Sequence, residues 1–128
     1  MSQLTYETYG DALLATFQGP VNRRTAPGYQ EELAAAMEPV QNAVLDLTDV
    51  DDVSGSGVRL LLYVYHLAAV KGGETALVGL SEELRDTINA TGLSEFFVVC
   101  KTLDEALMRI RRPEHRHIHA RAHRAYRE

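Results

Sequence analysis

Residues Ala43 to Leu47 read AVLDL, a short and nearly continuous apolar run. A strand of that kind is buried on both faces, as in sheets covered by helices rather than sheets with one wet side. An acid-rich turn follows, and Ser54-Gly55-Ser56-Gly57 opens a second apolar segment. There Val58, Leu61, Leu62, Tyr65, Leu67, Ala68 and Ala69 give helical spacing up to Lys71, and Gly72-Gly73 stops the run. The stretch therefore predicts a buried strand, a polar turn and a helix. Small hydroxyl residues at such a junction cap the helix. They also leave a hydroxyl at a helix N-terminus, where free N–H groups and the helix dipole stabilise negative charge. A serine there is chemically suited to carry a phosphate.

The rest of the chain repeats the alternation. Thr5 to Tyr9 and Ala12 to Phe17 predict two strands around a Gly10-Asp11 turn, and Gly19-Pro20 breaks the second. Thr25-Ala26-Pro27 resembles a helix start; Tyr29, Leu33, Ala36 and Met37 continue it, and Pro39 ends it. Thr75 to Leu80 predicts another strand, and Ser81-Glu82-Glu83 a capped helix running to Thr91-Gly92. Phe96 to Val99 reads as a last strand and Leu103 to Arg112 as a last helix, closed by Pro113. Strands alternating with helices from residue 25 onward predict an α/β fold: a mixed, mostly parallel sheet of four or five strands with about four helices packed on it.

At 128 residues the chain suits one domain, expected over residues 1–112, with 113–128 as a basic His/Arg-rich extension. The charge is uneven. Residues 1–100 hold five Lys or Arg against fourteen Asp or Glu, and residues 101–128 hold eight against four. An acidic body disfavours nucleic acid as a partner. No apolar run approaches the roughly 20 residues that span a bilayer, so no membrane insertion is expected. The single cysteine, Cys100, leaves no internal disulfide, and the N-terminus lacks the basic-then-apolar pattern of a signal peptide. The expected location is the cytoplasm.

Asp46-Leu47 at a strand end, then Ser56-Gly57-Val58, resembles the signature of STAS domains, specifically the bacterial anti-sigma factor antagonists. Their usual pattern is an apolar strand ending in Asp or Asn-Leu, a few residues, then Asp-Ser-Ser-Gly-Leu. The likeness continues through Gly72-Gly73, Leu77-Val78-Gly79-Leu80-Ser81 and Thr91-Gly92-Leu93 before Phe96-Phe97, and covers roughly residues 4 to 110. It implies a single STAS-like domain that binds an anti-sigma factor of the serine-kinase type in a partner-switching pathway. It also implies control by phosphorylation of the second motif serine, here Ser56, and a serine phosphatase to reverse it. Ser54 stands where the family has Asp, and Gly55 where it has the first Ser. Ser54 is the second candidate acceptor. The expected partner surface is Asp49, Asp51, Asp52, Ser54, Gly55, Ser56, Gly57 and Arg59, and no cofactor is called for.

Other readings start from the same residues. Ser-Gly-Ser-Gly before a helix is also the ordinary chemistry of a capped turn. The same fold serves as an adaptor in larger assemblies, such as a lipid-transport ATPase complex or a stressosome-like scaffold. A helix N-terminus could also hold a small anion or nucleotide. Enzyme motifs are missing: there is no GxxxxGK[ST], no GxGxxG after a strand and no GxSxG. His66 reads as a packed or surface histidine and Cys100 as a small buried residue. In the extension, His119 and His123 stand four apart, a spacing that would put two imidazoles on one helix face as a metal pair. A basic surface extension is the simpler reading of that segment.

Overall fold

The computed structural model describes residues 3–50, 53 and 55–110. Five strands form one sheet in sequence order: β1 (Leu4–Tyr9), β2 (Ala12–Phe17), β3 (Asn42–Asp46), β4 (Thr75–Val78) and β5 (Val98–Cys100). β1 runs antiparallel to β2, with Leu4 opposite Phe17 and Tyr9 opposite Ala12; the remaining neighbours are parallel. The hairpin turns on Gly10-Asp11. Gly10 has φ 63°, a left-handed value that a two-residue turn with glycine in its first central position demands.

Consecutive parallel neighbours need crossovers, and crossovers of one hand put their helices on one face of the sheet. α1 (Ala26–Ala36), α2 (Gly55–Ala69) and α3 (Glu82–Ala90) make those connections. Their apolar residues join one cluster with Leu13, Ala15, Phe17, Leu45, Leu47 and Leu77 from the sheet. Leu33 and Tyr65 are buried at its centre, and the rings of Phe17 and Tyr29 meet edge to face at 5.2 Å. α4 (Leu103–Ile110) covers the other face, where Ala106 and Ile110 pack with Leu14, Val44, Val78 and Cys100. β3 is buried on both sides, as its continuous apolar run predicts.

The expected α/β class and element order are present: five strands, four helices and one mixed, mostly parallel sheet. Ser81 caps α3 as expected, accepting the Leu84 N–H at 3.1 Å. One boundary differs in kind. Phe96 and Phe97 were expected to begin the last strand, yet they follow a 3₁₀ turn at Leu93–Glu95, and β5 starts only at Val98. Both rings pack edge-on against Tyr65, at 5.2 and 6.0 Å, so core packing claims residues whose composition reads as strand. The 113–128 extension lies outside the described residues.

Candidate functional site

The site is built where the chain leaves the carboxyl ends of β2 and β3, the edge at which α/β sheets place their ligands. β3 ends at Asp46, whose carboxylate accepts the Thr48 N–H at 3.0 Å and the Thr48 hydroxyl at 2.6 Å. That closes a tight turn with Leu47 buried beneath it, its N–H donated to the Val78 carbonyl at 2.8 Å. The strand-end Asp46-Leu47 pair thus does structural work: Asp46 shapes the exit and Leu47 anchors it.

Further on, Val53 makes a parallel bridge to Val21, in the connection between β2 and α1. The two loops therefore lie side by side. α2 then begins against them. A Cβ added to Gly57 would run into the Val53 side chain and stand 2.9 Å from the Val21 carbonyl oxygen. Only glycine lets the first turn of α2 approach so closely. Gly55, by contrast, is exposed and has open space where a side chain would be.

Ser56 sits between them, half-buried on the first turn of α2. That turn carries no acidic side chain, and the first N–H groups of any helix have no acceptor within it. Ser56 lines an open cleft of about 220 Å³ with Arg23, Ala26, Pro27, Gln30, Arg59 and Leu60. Arg59 lies three residues after Ser56, on the same helix face. Arg23 comes from the turn before α1, which is tied internally. The Asn22 side-chain oxygen accepts the N–H groups of Arg24 and Thr25 at 2.9 and 3.2 Å. The Thr25 hydroxyl accepts the Asn22 N–H at 3.0 Å and donates to the Pro20 carbonyl at 2.8 Å. A second shallow groove continues along α2, lined by Gln30, Arg59, Leu62, Tyr63 and His66.

Of the expected surface, Ser56 and Arg59 share the cleft, Gly57 supports it from below and Gly55 is exposed beside it. Asp49 is exposed on the turn but is not among the cleft residues. Asp51, Asp52 and Ser54 lie outside the described residues, as do His119 and His123. Among the described lining residues two are arginines and none is acidic. Arg23 was missed by sequence reasoning. Its signal was there in weak form: it is one of only five basic residues in the first hundred, just before a helix start. Nothing in the sequence brings it next to position 56.

His66 is exposed on the groove rather than packed inside. Cys100 is buried, and that burial pushes its thiol above the ordinary range against the pull of the nearby Arg109 guanidinium. Arg109 also donates to the Val99 carbonyl at 3.0 Å. Among the described residues no group of three or more His, Cys, Asp or Glu is placed to hold a metal ion. None of their helices is long and apolar enough to cross a membrane.

A sequential mixed sheet with three helices on one face, one on the other and a close glycine contact under the first turn of α2 defines a distinct α/β fold. The chain belongs to the STAS domain family, whose model matches residues 3–106. It is 30% identical over 105 residues to BtrV of Bordetella bronchiseptica, assigned as an anti-sigma factor antagonist, covering 81% of this chain and 90% of that protein. An anti-sigma factor antagonist from Mycobacterium paratuberculosis superposes with a TM-score of 0.74 at 26% identity, over 85% of this chain and 93% of the other. The Bacillus cell fate determinant SpoIIAA, solved in its phosphorylated form, shares the fold with a TM-score of 0.67 at 19% identity. That match covers 84% of this chain and 99% of SpoIIAA.

Proposed function

We propose that this protein is an anti-sigma factor antagonist controlled by phosphorylation of Ser56. Unphosphorylated, it binds a serine-kinase-type anti-sigma factor in the cytoplasm and so frees the sigma factor that this partner holds. The same partner then transfers the γ-phosphoryl group of ATP to Ser56. A new P–O bond forms at the serine oxygen, the P–O bond to the departing ADP breaks, and the hydroxyl proton passes to a base on the kinase. A phosphatase returns the serine. The chain itself acts as a binding module, over residues 1–112, with the nucleotide supplied by the partner.

The observation that carries this reading is the position of Ser56. It is half-buried, held on the first turn of a helix and open to a cleft, so its oxygen is reachable without unfolding the domain. Family membership and the 30% identity to BtrV support it. So does the existence of SpoIIAA in a phosphorylated form. The test is incubation with candidate serine-kinase anti-sigma factors and ATP, followed by mass mapping. Modification of Ser56 supports the reading; modification of Ser54 alone, or of neither, overturns it. In a binding assay with the kinase so identified, Ser56→Ala is expected to retain affinity and Ser56→Asp to lose it by tenfold or more, as a desolvated like-charge contact would require.

A further inference from the structure

Ser56 shares its cleft with two arginines that arrive from separate elements, Arg23 from the β2–α1 connection and Arg59 from α2. Among the described residues, neither side chain has a hydrogen-bond or ion-pair partner. This is unexpected in a body that holds fourteen acids against five bases in its first hundred residues. Surface arginines in such a body have carboxylates in reach, and two arginines beside one another repel. The arrangement is also anchored. Asn22 and Thr25 tie the Arg23 turn together, and the Val21–Val53 bridge joins it to the loop leading into α2. The contact at Gly57 then sets α2 against that loop.

From this we infer that Arg23 and Arg59 form a clamp for the phosphate on Ser56, an inference that rests on the reading of Ser56 as phosphoacceptor. A phosphomonoester brings about −1.5 to −2 charges and three acceptor oxygens, and arginine meets such oxygens with paired N–H donors. Two arginines match that charge. The phosphorylated cleft is therefore close to neutral, whereas the unphosphorylated one is cationic. Phosphorylation then acts by withdrawing both arginines from the surface. A partner that uses carboxylates to recognise the cleft loses its counter-charges at the moment the phosphate arrives. The clamp also pins the β2–α1 connection to α2, so the phosphorylated domain is tightened at this end.

Phosphoserine can be installed at position 56 of the full chain by codon reassignment, with no kinase involved. The phosphate is then titrated by ³¹P NMR. An unclamped phosphoserine takes up its second proton near pH 6. The clamp places that midpoint below 6 in the parent chain. Arg23→Gln and Arg59→Gln each raise it, by on the order of half to one unit, as loss of a neighbouring opposite charge requires. Arg24→Gln, one residue away and not lining the cleft, leaves it in place. Equal midpoints in the parent, Arg23→Gln and Arg59→Gln proteins overturn the clamp. All three arginines are exposed, and unchanged urea midpoints of the unphosphorylated variants confirm that the fold is intact. Because the phosphate is installed synthetically, a failure here is separate from a failure of the kinase to modify Ser56.

Discussion

At residue 57 the sequence motif and the packing meet. Gly57 is legible as part of Ser56-Gly57-Val58, but the reason for a glycine appears only in three dimensions, where Val53 and the Val21 carbonyl occupy the space of a side chain. Gly55, two residues earlier, stands in open space. The two glycines therefore respond differently to the same change. Gly57→Ala is expected to cost about 1–3 kcal/mol through overpacking against backbone, read as a lower urea midpoint. Gly55→Ala is expected to stay within about 0.5 kcal/mol of the parent or to stabilise, because it removes flexibility from the unfolded chain without a clash. A loss at Gly55 equal to that at Gly57 would show that the first turn of α2 is not seated as described. Arg23 marks the limit of legibility at this scale. It is 33 residues from Ser56, and its place depends on a bridge between two loops that no local pattern announces.

Elements were legible where periodicity and caps agreed, and misplaced where packing overrode composition. α3 begins at its serine cap because the Ser81 oxygen replaces a missing helical acceptor. The aromatic pair before β5 was read as strand because its side chains are strand-like, although their rings serve the core around Tyr65. A different device joins α1 to α2 and left no sequence signal. The Lys71 ammonium group, just past the end of α2, donates to the carbonyls of Met37, Glu38 and Val40 at 2.6, 2.7 and 3.0 Å. Those carbonyls belong to the last turn after α1, where helical donors have run out. Its neighbour in the tie, Gln41, donates from its side-chain amide to the Lys71 carbonyl at 2.8 Å. Lys71→Met keeps the apolar stem and removes the ammonium. It is expected to cost about 1–2 kcal/mol, since hydrogen bonds to a charged donor are worth more than neutral ones. Equilibrium urea unfolding measures this, and an unchanged midpoint would mean that water replaces the lysine at no cost. The Ser56 cleft is formed at the opposite end of α2, so partner binding by Lys71→Met is expected to match the parent at temperatures where both are folded.

For the whole molecule, alternation of strand and helix was enough to predict a mixed, mostly parallel sheet, but not its order. Many orders share that alternation. In this one α1, α2 and α3 pack on one face of the sheet and α4 closes the other. Four described titratable groups, on β1, α1 and β5, have their pKa raised in the folded protein. Burial and a hydrogen bond to Glu32 push Tyr6 upward, while at Tyr9 the hydrogen bond to Glu7 is the larger cause. Tyr29 rises through burial and the nearby Glu32 charge, and Cys100 through burial. A group whose pKa is raised on folding holds its proton more tightly in the native state. Its contribution is complete below the unfolded pKa and is lost as pH rises through and above it. The ordinary values are 9.0 for the thiol and 10.0 for the phenols, so stability is expected to hold up to about pH 9 and fall beyond it. Urea midpoints measured from pH 7 to 11 test this. Cys100→Ala removes the earliest of these groups, so its decline is expected to begin nearer pH 10 than that of the parent, whatever the cavity costs at neutral pH. Parallel declines from the same pH in both proteins would instead assign the whole alkaline transition to the tyrosines, and the buried thiol would then have no part in it.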